Sequence, residues 1–124
     1  MSDAQVYVQG SSEYEKKRSE VGTQLSLMEY LKDYVNSPAH QDDVIPANIG
    51  VTDVTLSALI NKYNESVLQR NRLLRSSPAT NPVIVRLNNN LTAMRENITS
   101  TINSVYNGLM ISKQDIDRQM RKYT

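Results

Sequence analysis

No cysteine, phenylalanine or tryptophan occurs in this chain of 124 residues, and it has one histidine. The missing cysteine excludes disulfides, thiolate metal sites and cysteine nucleophiles, and it leaves the redox compartment open. With seven Tyr as the whole aromatic stock, a core has to be built from Leu, Ile, Val and Met, the inventory of a helix bundle. No apolar run approaches the roughly eighteen residues of a membrane span. The start, MSDAQVYVQG, lacks the basic-then-apolar layout of a leader, so a soluble piece of a longer protein is expected. Excess charge of one sign is lacking too. Fourteen basic residues face 13 acidic ones for a net +1, and the basic ones are scattered along the chain, which argues against nucleic acid as a partner. With 39% apolar and 22% charged residues, the length suits one domain with a modest core.

What the sequence does have is helical periodicity. Residues 1–11 contain an alternating Val6-Tyr7-Val8 with no visible partner strand and end near Gly10, so they are expected to form a flexible tail. Ser12 followed by Glu15 has the capping-box form, and Val21, Leu25, Met28, Leu31 and Val35 then recur at helical spacing up to Ser37-Pro38. A first helix over 12–36 follows. The segment Pro38 to Gly50, with Pro38, Pro46 and Asp42-Asp43, shows no period and reads as a surface connection. Thr52 or Asp53 caps a second helix over 53–77 carrying Leu56, Leu59, Ile60, Tyr63, Val67 and Leu74. Arg70, Arg72 and Arg75 near its end oppose the negative helix terminus, and Ser76-Ser77-Pro78 stops it.

Asn81-Pro82 supplies a cap followed by proline at the first helical position. From there two apolar ladders step by eleven residues: Val83, Met94, Val105, Ile116 and Leu87, Ile98, Leu109, Met120, with Leu91 and Ile102 between them. A step of about 3.67 residues per turn keeps both ladders on one face of a nearly straight helix. Asn107-Gly108 is the strongest turn dipeptide in the chain, but a turn there would reset the phase that Val105 and Leu109 keep. A glycine costs a packed helix only about 1 kcal/mol relative to alanine. The third helix therefore spans 82–122, roughly 60 Å, against roughly 37 Å for each of the others.

These lengths predict a single all-α domain over 12–122, an antiparallel hairpin of two shorter helices lying end to end along one long helix, with both chain ends at the same end. The packing and interaction face comprises Val83, Leu87, Leu91, Met94, Ile98, Ile102, Val105, Leu109, Ile116 and Met120 on the long helix. Leu56, Ile60, Tyr63, Val67 and Leu74 supply the facing surface on the second. Two layers cannot cover all of the apolar surface. Leu27, Leu31 and Tyr34 on the first helix and Leu59 and Leu73 on the second are expected to offer some of it to another subunit, so self-association is expected.

Chemistry is sparse. His40 beside Asp42 and Asp43 reads as an exposed polar loop rather than an acid-base or metal site. There is no glycine-rich phosphate loop, nucleophile elbow or spaced carboxylate pair, so no enzyme and no cofactor are expected. The run Lys16-Lys17-Arg18 is flanked by Glu13, Glu15 and Glu20 and reads as a solvated face. Sequons at Asn64, Asn90 and Asn97 fall within helices and are explained by chance in so Asn-, Ser- and Thr-rich a chain. Tyr14, Tyr30, Tyr34, Tyr63, Tyr106 and Tyr123 are expected to pack at the edges of a thin helical layer, and Asn88-Asn89-Asn90 is expected to point outward.

The block Thr52-Asn64 (TDVTLSALINKYN), followed by Gln69-Arg75 (QRNRLLR) and Ser76-Val83 (SSPATNPV), resembles a family. It is similar to the periplasmic helical region of bacterial polysaccharide chain-length determinants fused to tyrosine autokinases, as in capsule and exopolysaccharide systems of Bacteroides-like bacteria. The likeness covers roughly residues 12–122 and is most specific from Lys62-Tyr63-Asn64 to Asn81-Pro82-Val83. The resemblance implies a parent with two membrane spans, a membrane-proximal α/β domain, a helical protrusion and a cytoplasmic kinase domain. It also implies ring oligomers acting with a polysaccharide polymerase and export machinery. This chain would be the periplasmic protrusion. Having no phosphate-binding loop and no C-terminal tyrosine cluster, it inherits no kinase activity. The competing expectation is a generic coiled-coil adaptor, such as the hairpin of a periplasmic efflux adaptor, with helices of matched length and a tip motif.

Overall fold

A computed structural model describes residues 2–123, the Tyr7 side chain apart. Three helices make up the fold: α1 (Asp3–Asn36), α2 (Val54–Leu74) and α3 (Pro82–Met120). Short 3₁₀ turns cover Pro38–His40 and Arg121–Tyr123. No strand occurs among the described residues.

Each helix starts where a side chain satisfies its first free N–H groups. The Asp53 carboxylate accepts from the Leu56 amide at 2.8 Å. Asn81 Oδ1 accepts from the Val83 amide at 2.9 Å, with Pro82 at the first helical position. At the amino end the expectation is corrected. The capping box that starts α1 is Ser2 with Gln5, not Ser12 with Glu15. Ser2 Oγ accepts from the Gln5 amide at 3.2 Å and Gln5 Oε1 accepts from the Ser2 amide at 2.9 Å. Residues 3–11, expected as a tail, are the first two and a half turns of α1, and Val6 and Val8, 52% and 63% exposed, project from it. The helix ends at Asn36, before the Ser37-Pro38 pair that disfavours the α conformation. α2 stops at Leu74, three residues short of the expected end, in turns closed by Ser76 and Ser77 amides donating to the Leu73 carbonyl. α3 runs unbroken through Gly108, as the ladder phase requires, with no heavy atom near that glycine's open side.

Both α1 and α2 pack on α3 and run antiparallel to it. Arg18 pairs with Asp117 at 3.3 Å, the Tyr14 and Tyr123 rings meet at 5.9 Å, and the Val35 carbonyl reaches Arg95. On the second helix, Tyr63 lies at Arg95 and Arg70 at Asn88. Val35 and Tyr63 therefore share one level on α3, and α2 begins lower, beside Gln24. Gln24 donates to the Gly50 carbonyl at 2.8 Å and accepts from the Thr52 amide at 3.2 Å. The two shorter helices are thus staggered rather than strictly end to end, overlapping by about ten residues or roughly 15 Å.

The stagger forces the connection to double back, and this corrects its reading as a surface segment. From Val44 to Thr52 the chain forms a strap lying against both shorter helices. Ile45 is 1% exposed and joins the main core, with Ala47, Ile49 and Val51 packed behind it. Asn64 Oδ1 accepts from the Ile45 amide and Asn64 Nδ2 donates to the Ile45 carbonyl, both at 2.8 Å, so one side-chain amide stands in for a strand neighbour. The Tyr34 hydroxyl donates to the Val44 carbonyl at 3.2 Å. The strap reverses through Asn48 (φ 59°) and Gly50 (φ 103°), the second a conformation that favours glycine. Where strap, α1, α2 and α3 meet, Met28, Leu31, Leu56, Ile60, Ile98 and Ile102 are all at most 2% exposed.

Candidate functional site

The apolar face expected from sequence divides into three grades. Leu91, Ile98, Ile102, Ile116, Leu56, Ile60, Tyr63 and Val67 are buried within the domain. Leu87, Met94, Val105, Leu109 and Met120 are half-buried. Val83 and Leu74 are each 42% exposed, which removes them from the packing face. Ile84, one residue further and 0% exposed, takes the inward position instead. Leu31, expected to offer itself to another subunit, is also 0% exposed. It is covered internally, while Leu27, Tyr34, Leu59 and Leu73 stay half-buried.

Two arginines organise the level at which the helices meet. Arg95 on α3 donates to the Val35 carbonyl through Nε at 3.3 Å and through Nη2 at 3.0 Å. It also donates to the His40 carbonyl at 3.0 Å and to the Tyr63 hydroxyl at 2.6 Å, with the guanidinium 5.6 Å from the Tyr63 ring centroid. One side chain therefore satisfies the last turn of α1, where free carbonyls and the negative helix end favour a cation, and ties it to α2 and to the 3₁₀ turn that follows α1. Arg70, expected near the end of the second helix as a cation opposing its negative terminus, is 7% exposed. It donates to the Asp42 carbonyl at 3.0 Å, to Asn88 Oδ1 at 3.3 Å and to Asn71 Oδ1 at 3.1 Å, and its Asp42 carboxylate partner stands 3.8 Å away. Neutral oxygens thus carry most of the compensation for both cations, and no buried side-chain nitrogen or oxygen among the described residues lacks a partner.

These residues line one wall of an open groove of about 820 Å³. The rest of its lining is a largely polar stretch of α3 that includes Thr92, Glu96, Thr99, Asn103 and Asn107. Thr92 and Thr99 hydroxyls donate back to the carbonyls of Asn88 and Arg95, so these two hydroxyls are occupied with their own helix. The arrangement offers hydrogen bonding but no nucleophile paired with a base.

His40 sits on the rim of the connection, its ring stacked on Tyr34 at 4.1 Å and its Nδ1 3.0 Å from Asp43 Oδ2. Burial raises the Tyr34 phenol above the ordinary tyrosine range, and the Asp43 charge adds to the shift. Among the described residues no three metal-type ligands gather.

Sequence reasoning missed Arg95, Ile45 and the structural use of Asn64. A signal existed for the arginines. Arg70 follows Val67 by three residues and Arg95 follows Leu91 by four, so both stand within or beside the apolar stripe rather than opposite it. No helix among the described residues is long and apolar enough to cross a membrane. No protein-family profile, curated protein or solved structure matches this chain.

Proposed function

We propose that this chain is a non-catalytic periplasmic scaffold, the helical protrusion of a capsule or exopolysaccharide chain-length determinant whose parent carries a tyrosine kinase domain elsewhere. The observation supporting this reading most directly is the closed base of the hairpin. Tyr14 and Arg18 of α1 lie against Tyr123 and Asp117 of α3, while the α2–α3 turn stands about 58 Å away at 1.5 Å per residue of α3. A protrusion inserted into a membrane-proximal domain needs its two ends side by side in this way. The buried Tyr63 and paired Asn64, within the most specific part of the resemblance, hold the strap and the Arg95 contacts that give the hairpin its staggered form.

Self-association is part of the proposal. Beyond the level of Val105 only α1 and α3 remain, leaving Val21, Leu109, Met110 and Met120 half-covered and Ile111 66% exposed. The efflux-adaptor alternative calls for two matched helices running the whole length; here α1 stops at the Arg95 level and α2 takes over. The deciding experiment has two parts. Light scattering of this chain reports whether copies associate. Arg95→Met in the full-length parent should shift the size distribution of surface polysaccharide on a gel without changing kinase autophosphorylation. A parent without membrane spans, or a polymer size distribution unmoved by the substitution, refutes the reading.

A further inference from the structure

The basic residues look scattered by count but not by sign. From residue 66 to residue 95 the chain holds Arg70, Arg72, Arg75, Arg86 and Arg95 and no Asp or Glu, although acidic residues nearly match basic ones overall. The fold spends two of the five internally, Arg70 and Arg95. Arg72, Arg75 and Arg86 remain exposed around the α2–α3 turn, and none of the three enters an ion pair among the described residues. Among them stand aliphatic side chains: Leu68 is 50% exposed, Leu74 and Val83 42%, and Val85 43%. The turn itself is held in shape, the Ser77 amide donating to the Leu73 carbonyl at 2.9 Å and the Asn81 amide to the Pro78 carbonyl at 3.0 Å.

We propose that this tip docks on an anionic lipid surface, with the arginines at the headgroup phosphates and the aliphatic side chains at the acyl boundary. Charge complementarity selects an anionic partner, and guanidinium groups suit phosphate oxygens in particular. The aliphatic residues discriminate among anionic partners. A hydrophilic polyanion gives nothing for burying Leu74, Val83 or Val85, whereas a bilayer interface rewards both kinds of side chain together. Shape decides against a protein patch. At about 100° per residue, Val83 and Val85 leave α3 on opposite sides, with Arg86 between them. The apolar and basic groups thus ring a convex end instead of sharing one face, and a planar surface met end-on engages them all. This inference does not depend on the polysaccharide reading.

The test is cosedimentation of the whole chain with vesicles of phosphatidylcholine containing phosphatidylglycerol, at millimolar lipid, against pure phosphatidylcholine. Each basic side chain at such a surface is worth about a fivefold step in partition. The R72Q/R75Q/R86Q variant should therefore lose about a hundredfold, and V83S/V85S should lose a further share while keeping the salt dependence. Binding to the anionic vesicles should fade as salt shortens the screening length. These positions are exposed, so both variants should retain the parent helical circular dichroism. Three results overturn the proposal: no binding to anionic vesicles, equal binding to pure phosphatidylcholine, or binding unchanged in the triple arginine variant. Polyglutamate binding more tightly than the vesicles and indifferent to V83S/V85S also overturns it, by showing a plain polyanion site. Vesicle binding can fail while light scattering still finds oligomers, so the two proposals stand or fall separately.

Discussion

Replacing Arg95 with methionine keeps the stem and removes the guanidinium, leaving the Val35 carbonyl, the His40 carbonyl and the Tyr63 hydroxyl without their donor. Because the groove beside them admits water, each orphaned acceptor is taken at about 1 kcal/mol, the low end of the cost of leaving such a group unsatisfied. The sum is about 3 kcal/mol, a large share of the 5–15 kcal/mol typical of a domain. At 124 residues the unfolding entropy near the midpoint is about 0.26 kcal/mol/K. Arg95→Met should therefore melt about 12 °C below the parent by circular dichroism. Arg95→Lys keeps the charge but not the fork that reaches α1, α2 and the 3₁₀ turn together, so it should recover less than half of the loss. Arg86→Met, on the exposed surface, is the control and should move the midpoint by about 2 °C at most. If Arg95→Met melts within about 4 °C of the parent, or Arg95→Lys restores it fully, the guanidinium is not what joins the three helices.

Two of the helical glycines, Gly108 and Gly10, should behave oppositely. Gly108→Ala, with nothing within 4 Å of the new methyl, should raise the midpoint by about 2–4 °C; in Gly10→Ala the methyl would stand 2.5 Å from the Tyr123 hydroxyl, so the ring should swing away, visible as shifted Tyr14 and Tyr123 NMR signals with little change in melting. Ile45→Ala should cost about 2–4 kcal/mol in urea unfolding, where a surface connection would lose almost nothing. Tyr34 titrates above the ordinary tyrosine range, so the folded state favours the neutral phenol. That contribution is fully present below the ordinary range and is lost as pH rises through the raised folded value. Urea midpoints should hold to about pH 10 and fall beyond it, the fall being shallower in Tyr34→Phe.

The parts of the fold legible from sequence are those governed by period. The eleven-residue ladders gave α3 nearly to the residue and carried it through Asn107-Gly108, because helical phase over many turns outweighs one turn dipeptide. The cap at Asn81-Pro82 and the stop at Ser37-Pro38 were legible because their chemistry is local. What escaped were contacts between residues far apart in the chain. Ile45 lies in a segment with prolines, acids and no helical period, and only Asn64, nineteen residues on, supplies the pairing that lets its backbone be buried. The burial of Arg70 and Arg95 escaped because three of the oxygens that satisfy them, on Val35, His40 and Asp42, are backbone carbonyls, which no side-chain pattern encodes. The early start of α1 was misread because Ser2-Gln5 and Ser12-Glu15 have the same spacing, and Gly10 favoured the later one.

In mechanical terms the overlap of α1 and α2 along α3 is a lap joint. A butt joint would leave α3 alone to carry any sideways load at the meeting point, whereas here the load crosses roughly 15 Å of shared length as distributed shear. The middle of the molecule is therefore its stiffest part. Flexure belongs to the slimmer two-helix arms on either side, above Leu91 and below Val105, so the base and the tip can each swing against a central collar that does not.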